Sequence, residues 1–183
     1  MKKITTYLFV IVVVLIGAYF SLACYSLSKS DIEELITYCL YPENNHYPPG
    51  LPQFYMLNFR GSKKDLELLK NHNGLGFILN SASAPRDKVI KYVSFFLEKG
   101  FDINSVGIDG STALQVAILF NHPDEVSFLL KKGADRSIRV GYSRIHGKNE
   151  KTNFYGMTPL ELATYLSKKD GQDRSRIIKM LNK

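Results

Sequence analysis

The strongest constraint on the fold of this chain is a segment that occurs twice at a fixed spacing. VSFFLEKG begins at Val93 and recurs as VSFLLKKG at Val126, so the two copies are 33 residues apart. Gly100 and Gly133, which end the copies, keep the same interval. Self-similarity with a period of about 20–50 residues is the signature of stacked structural repeats. The sequence therefore predicts an array of helix pairs.

The residues around the repeat have identifiable physical roles. Gly100 and Gly133 follow apolar helical stripes and suit the left-handed conformation just past a helix end. Thr112 and Thr158 follow tight turns and can cap the next helix, and Pro159 fits the first turn of that helix. The apolar positions that we expect to face a neighbouring helix pair are Leu114, Ala117, Leu160 and Ala163.

On these residues the chain resembles the ankyrin-repeat family. The family tetrapeptide Thr-Pro-Leu-His appears as Thr112-Ala113-Leu114-Gln115 and as Thr158-Pro159-Leu160-Glu161. Both copies lack the histidine, so its usual hydrogen bond between repeats must be replaced or absent. The resemblance is strong over residues 88–166. It implies an all-α solenoid of about three helix pairs that binds another protein and is not an enzyme.

One departure from the period lies between the repeats. Gly110 and Gly156 mark equivalent turns but are 46 residues apart, 13 more than the period. The extra residues fall near 137–153, and residues 136–151 carry five Lys or Arg against one Glu, a net charge of +4. Insertions in solenoids map to loops on one face, often the binding face. The alternative is a tolerated surface loop, because lengthening a loop costs little free energy.

Two partner-binding surfaces follow from this pattern. The insertion supplies the first, since Tyr and Arg often anchor interfaces; its candidate residues are Arg139, Tyr142, Arg144 and His146. The contrasting surface is the concave face of the inner helices, around Gln115 and Glu161, with the insertion idle. We expect deletion of residues 137–152 to leave stability nearly unchanged, because the insertion lies outside the helix pairs.

The N-terminus carries a separate signal. After Lys2 and Lys3, residues 4–23 contain no charge. Twenty helical residues span about 30 Å, the thickness of one hydrocarbon core. By the positive-inside rule the two lysines hold the N-terminus in the cytoplasm. We therefore expect a bacterial inner-membrane protein, single-pass or lipid-anchored, with its bulk in the periplasm.

Three fates remain open for this segment. Its length favours an uncleaved signal anchor, because secretory apolar regions usually run for about 7–15 residues. Ser21-Leu22-Ala23-Cys24 resembles a lipoprotein signal, with Cys24 as the lipidation site, although Ser21 stands where that pattern prefers Leu. The third fate is a plainly cleaved signal peptide. The first two give the same topology.

Between this segment and the repeats we predict a helix and a linker. Ser30 can cap a helix whose apolar stripe runs from Ile32 to Leu40, and four prolines then indicate a loop that continues through Gln53. The predicted divisions are residues 1–24, the membrane or signal segment; residues 25–53, the helix and Pro-rich linker; and residues 54–183, the repeats. The last helix, with Arg174 on its outer side, is expected to cap the stack.

The sequence favours few other functions. The two cysteines and four scattered histidines give no disulfide framework and no metal-ligand spacing, and we predict no cofactor and no catalytic residue. An enzyme remains the disfavoured alternative. The net charge of +7 falls to +5 without the first 24 residues, which favours acidic partners or anionic lipid surfaces over nucleic acid. Two roles are open: an immunity protein that neutralises a secreted toxin effector, and a scaffold or stabiliser of a periplasmic enzyme.

Overall fold

The computed structural model describes residues 2–144 and 150–182, with side chains from Thr6 onward. These residues contain ten α-helices, one short 3-10 helix and isolated β-bridges, so the predicted all-α class is confirmed. The chain divides into two compact units, Met1–Arg60 and Gly61–Lys183. This division differs from the expected start of the repeats at Phe54.

The first unit is built on one long apolar helix. Its elements are α1 (Lys2–Lys29), α2 (Ile32–Leu40), the 3-10 helix (Pro42–Asn44) and α3 (Leu51–Phe59). Within α1, Thr6–Lys29 is long enough to cross a membrane, and an 18-residue window within it has a mean hydropathy of 2.5. A membrane anchor and a signal sequence both have this length and composition.

The end of α1 belongs to the folded part of the first unit. The side chains of residues 6–22 are exposed, whereas Ala23 and Leu27 are buried, Leu27 completely. Helix α2 buries the five apolar residues of its predicted stripe. Its cap is Asp31, whose carboxylate accepts a hydrogen bond of 2.7 Å from the backbone of Glu34, and Ser30 lies one residue outside the cap.

The predicted loop is wrong at its C-terminal end. Helix α3 begins at Leu51, and Pro52 stands in its first turn, where the missing N–H costs no helical hydrogen bond. The Gln53 amide donates to the carbonyl of Cys39 at 3.2 Å, which ties the start of α3 to the end of α2. Proline at this position therefore begins a helix and does not prevent one.

The second unit is a stack of helix pairs. Its helices are α4 (Lys63–Asn71), α5 (Leu75–Leu79), α6 (Arg86–Glu98), α7 (Ala113–Leu119), α8 (Pro123–Lys131), α9 (Pro159–Asp170) and α10 (Ser175–Leu181). Helices α5–α6, α7–α8 and α9–α10 form three successive pairs, and α7 packs against both α5 and α9. The prediction of about three helix pairs is confirmed.

The repeat positions form the interior of this stack. Leu114, Ala117 and Ala163 are at most 1% exposed, whereas Leu160 is half-buried. Val126, at the start of the second repeat copy, is completely buried in the outer helix α8. These small and branched side chains therefore lie on helix faces that become buried only when neighbouring helix pairs stack, since no single pair can bury its own apolar face.

Arg174 is the main exception to the predicted capping helix. It was expected on the outer side of the last helix, but its side chain is 1% exposed. The guanidinium donates to the carbonyls of Ile118 and Leu119 at 3.4 Å each, and to Asp170 at 2.7 Å. Arg174 is buried because it satisfies the carbonyl groups that the C-terminus of α7 leaves without helical partners.

Candidate functional site

The insertion lies in the connection between α8 and α9, and we call the described residues of this connection, 132–144 and 150–158, the finger. The backbone groups of Ser143 and Glu150 exchange two hydrogen bonds, of 2.8 and 2.9 Å, and close the finger at this level. The connecting residues 145–149 lie outside the described residues. His146, one of the predicted binding residues, is among them.

The base of the finger is hydrogen-bonded to the preceding turn of the stack. Gly141 N–H donates to the carbonyl of Gly110 at 2.7 Å, and Arg144 N–H donates to the carbonyl of Ile108. Val140, next to Gly141, is only 3% exposed. Residues 137–152 lie outside the helix pairs, as expected, but they are not independent of the stack. Their deletion would remove a buried side chain and two backbone hydrogen bonds between turns, so we now expect it to lower stability.

Gly110 permits this close approach. Its φ is +82°, and a Cβ atom at this position would lie 2.5 Å from the carbonyl oxygen of Gly141. A glycine is required here both for the left-handed backbone and for the space it leaves. Ile108 N–H also donates to the carbonyl of His72 at 2.8 Å, so successive turns are linked along the stack.

An aromatic pair is exposed on the finger. Tyr142 and Tyr155 are 43% and 37% exposed, with ring centroids 4.5 Å apart. The Lys151 ammonium stands 4.9 Å from the centroid of the Tyr155 ring, within cation–π range. A hydrogen bond with Tyr142 is the main cause of a raised Tyr155 pKa, so the Tyr155 hydroxyl stays protonated near neutral pH.

Arg139 and Glu161, which the sequence assigned to two contrasting binding surfaces, meet where the finger joins α9. The Arg139 guanidinium donates to the Glu161 carboxylate at 3.0 Å and to the carbonyl of Gly156 at 2.6 Å. Hydrogen bonds from Thr158 are the main cause of a lowered Glu161 pKa, and Arg139 lowers it further. Both charged side chains are more than half exposed, so this ion pair belongs to the surface and not to the core.

Gln115 occupies a different environment from the other predicted residues. Its side chain is completely buried. The side-chain oxygen accepts from Thr112 N–H at 2.8 Å, and the side-chain amide donates to the carbonyl of Ile138 at 2.8 Å. A partner cannot contact Gln115 without displacing these groups. Of the two predicted concave-face residues, Glu161 alone is accessible.

Comparison with known proteins decides the family. A family model for ankyrin repeats in three copies matches residues 79–181, more than half of the chain. The chain belongs to the ankyrin-repeat family. The match begins at the last residue of α5 and ends at the last residue of α10. No curated protein and no solved structure matches the chain.

The ankyrin histidine is replaced by two different groups. Gln115, on the inner helix α7, donates to the carbonyl of Ile138 in the finger, which supplies a hydrogen bond between repeats. Glu161, on α9, pairs with Arg139 in the same finger. Thr112 and Thr158 keep the capping role that the sequence predicted, each in a reciprocal capping box. The family's hydrogen bond is therefore replaced in this ankyrin chain, not simply lost.

Several exposed groups were missed by the sequence analysis. Tyr155 was given no binding role from the sequence, and Lys151 was counted only in the net charge of the insertion. Lys169 stands 5.9 Å from the ring centroid of Phe154 and 5.5 Å from that of Tyr165, extending the basic and aromatic character onto α9. The available signal was the density of aromatic and basic residues after the insertion. We define the finger surface as Arg139, Tyr142, Arg144, Lys151, Tyr155 and Glu161.

A second charged cluster in the ankyrin stack is internally satisfied. The carboxylate of Glu125 is 3% exposed and accepts from Arg86 Nε at 2.6 Å, while its other oxygen lies 3.1 Å from His122 Nδ1. His122 precedes α8 as its N-cap. Ankyrin-repeat domains generally act as non-catalytic binding modules, and these paired charges fit a structural role.

Proposed function

We propose that this ankyrin protein is membrane-anchored and binds an acidic protein surface through the finger surface, outside the cytoplasm. The observation that carries the proposal is the exposed Tyr142–Tyr155 pair, flanked by Lys151, on a finger whose base is hydrogen-bonded to the stack. Tyrosine and arginine are enriched among the residues that contribute most to interface affinity.

The attachment of the finger lowers the cost of binding. An interface made of a mobile loop must order that loop on association, which reduces the net affinity. Here the backbone next to Tyr142 is already held by the hydrogen bond from Gly141 to Gly110. The aromatic rings are therefore presented on a pre-ordered base, and the surrounding positive charge speeds association with an acidic partner.

The apolar helix supports the proposed location. Lys2 and Lys3 precede the uncharged run of α1, which favours a cytoplasmic N-terminus and repeats on the periplasmic side of an inner membrane. In this place the protein meets secreted and periplasmic proteins. We favour an immunity protein that neutralises a toxin effector. A scaffold or stabiliser of a periplasmic enzyme would use the same finger surface.

The binding proposal is tested with two matched variants of the full chain. The double variant Tyr142→Ala/Arg144→Glu alters the finger surface, and Lys179→Glu reverses an exposed charge on the capping helix α10. Capture from the parent organism identifies the partner, and affinity is then measured at two salt concentrations. We expect the double variant to weaken binding at least about tenfold, with the control close to wild type.

The salt series adds a second criterion. Binding of the wild type should weaken as salt rises, because exposed charges are screened beyond about 8–10 Å near physiological ionic strength. If the double variant retains wild-type affinity, the finger surface is not the binding site.

Immunity and scaffolding predict different phenotypes. A strain that lacks this gene is mixed with its parent and their survival is compared under cell contact. An immunity protein predicts that the parent kills the mutant, and that wild-type protein but not the finger double variant restores survival. A scaffold predicts no killing and a loss of the partner enzyme's abundance instead. Equal survival would therefore exclude immunity under these conditions.

A further inference from the structure

A surface cavity of about 640 Å³ lies beside α1 in the first unit. One wall is formed by α1 between Tyr19 and Ser26, and the other by the segment from Asn44 to Tyr47, with Tyr38 contributed by α2. Nothing in the proposed binding of a protein partner uses this cavity.

The position of the cavity along α1 corresponds to the edge of a membrane. The Tyr19 hydroxyl donates to the carbonyl of His46 at 2.8 Å, and the hydroxyls of Ser26 and Tyr47 lie 2.9 Å apart. Tyr19 is four residues before Ala23, the last residue of the 20-residue segment predicted to cross the membrane, which places it about 6 Å inside that end at the rise of an α-helix. The cavity therefore extends across the level where acyl chains meet headgroups.

The lining of the cavity suits a cation. Tyr19, Tyr38 and Tyr47 contribute aromatic rings, and the last two have centroids 5.2 Å apart at 60°. Tyrosine rings attract ammonium groups, and aromatic cages recognise quaternary ammonium ligands. The Tyr38 hydroxyl donates to the Glu34 carboxylate, and this hydrogen bond raises the pKa of Tyr38 to about 12. The Tyr38 hydroxyl therefore stays protonated. Its hydrogen bond also holds the Glu34 carboxylate beside the aromatic cluster.

The charge of the surrounding segment selects among headgroups. Residues 30–59 contain four Asp or Glu and no Lys or Arg. This segment repels an anionic headgroup that carries no ammonium, whereas basic segments near membranes attract anionic lipids. Leu22, 68% exposed on the same wall, offers an apolar surface for the beginning of an acyl chain.

From these features we infer that the cavity binds a zwitterionic phospholipid, with the headgroup ammonium among Tyr19, Tyr38 and Tyr47. The inference depends on the proposed retention of α1 in the membrane and is independent of the finger surface. It assigns a specific lipid site to the first unit, in addition to the anchoring function of α1.

The test measures lipid retention by the full chain. The protein is purified in detergent and its intact mass is recorded. It is then incubated with phosphatidylethanolamine, phosphatidylcholine or phosphatidylglycerol of identical acyl chains, and bound lipid is counted by native mass spectrometry. We expect the two zwitterionic lipids to be retained about fivefold to tenfold more than phosphatidylglycerol, the range given by one or two cation–π contacts. Equal retention of the three lipids overturns the inference.

Point variants separate the aromatic rings from other contacts. Tyr47→Leu and Tyr19→Leu should each abolish the preference, whereas Tyr47→Phe keeps the ring and should keep it. Tyr25→Leu, at an exposed position outside the cavity, is the matched control. Circular dichroism verifies folding; if Tyr47→Leu unfolds, Tyr19→Leu decides, because Tyr19 is half exposed on α1. An unchanged preference in a folded Leu variant overturns the inference.

The intact mass distinguishes the two ways in which the inference can fail. A chain that begins at Cys24 has lost Tyr19 and Leu22, and this result overturns both the retained anchor and the lipid site. A full-length chain without lipid preference overturns the lipid site alone. Partner binding by the finger surface is measured separately and remains unaffected by either result.

Discussion

Leu114 and Leu160 provide a matched test of packing within the stack. They occupy the same position in the two copies of the tetrapeptide, but Leu114 is 1% exposed whereas Leu160 is half-buried. Leu114 lies on α7, which packs between α5 and α9. Leu114→Ala therefore opens a cavity inside the stack, and Leu160→Ala removes a side chain that solvent already reaches in part.

The expected magnitudes follow from this difference in burial. A fully buried Leu→Ala change costs about 2–5 kcal/mol, because the transfer free energy and a cavity term are both lost. Partial burial at Leu160 leaves mainly a reduced transfer term, about 1–2 kcal/mol. At about 4 °C per kcal/mol for a unit of this size, Tm should fall by about 8–20 °C for Leu114→Ala and by about 4–8 °C for Leu160→Ala.

The assay is thermal and urea unfolding of the full chain in detergent, followed by circular dichroism at 222 nm. If α1 is retained, it stays in the micelle and contributes a constant signal. The m-value should be unchanged in both variants, so that the shift in midpoint reports stability. Equal losses for the two variants, or a negligible loss for Leu114→Ala, would refute the assignment of Leu114 to the interior of the stack.

Three further predictions concern the finger, pH and the N-terminus. Gly110→Ala should lower Tm more than Gly156→Ala, since both have positive φ but only the former Cβ meets a finger carbonyl, at 2.5 Å; equal losses would contradict the close approach. The hydrogen bond from Arg174 lowers the pKa of Asp170, so its contribution to stability is present above an unfolded pKa of about 3.9 and is lost as pH falls through the depressed folded value. Asp170→Asn should therefore flatten the acid side of the Tm–pH curve, and a parallel curve would contradict the pairing. Cys24→Ser should leave the intact mass otherwise unchanged and the chain membrane-bound if α1 is retained, whereas loss of acylation and processing would identify a lipoprotein.

The sequence predicted the parts of the fold that depend on local pattern. The 33-residue interval and the threonine caps determine where helix pairs begin, and the structure confirms both. These signals are visible in the sequence because a repeat needs the same turn and the same buried face each time. Gly100 and Gly133 follow the same logic, with φ of +93° and +94°.

The errors arose where distant parts of the chain meet. Arg174 looked like a solvent-facing residue, yet its guanidinium lies against the carbonyl of Ile118, which is 56 residues away. No helical periodicity reports such a partner. Similarly, no sequence pattern indicated that the finger base is hydrogen-bonded to Gly110. Charged and extended segments can be buried or fixed by backbone groups that only the tertiary structure brings together.

The candidate site was predicted in part. The composition of the insertion identified Tyr142, which the structure places beside Tyr155. The tetrapeptide suggested that Gln115 and Glu161 were equivalent, but one is completely buried and the other is exposed. The difference arises because the Gln115 amide bonds to the backbone carbonyl of Ile138 in the finger, whereas the Glu161 carboxylate pairs with the Arg139 guanidinium at the surface.

The two hydrogen bonds between Ser143 and Glu150 have an evolutionary consequence. They hold the backbone of Ser143 and Glu150 together, so the sequence between these two residues starts and ends at fixed points. A change in the number of residues between them therefore costs little chain entropy, because the cost of closing a loop rises slowly with its length. If the partner is a rapidly diversifying toxin, a lineage can follow it through substitutions in this short segment, while the stack is inherited with little change.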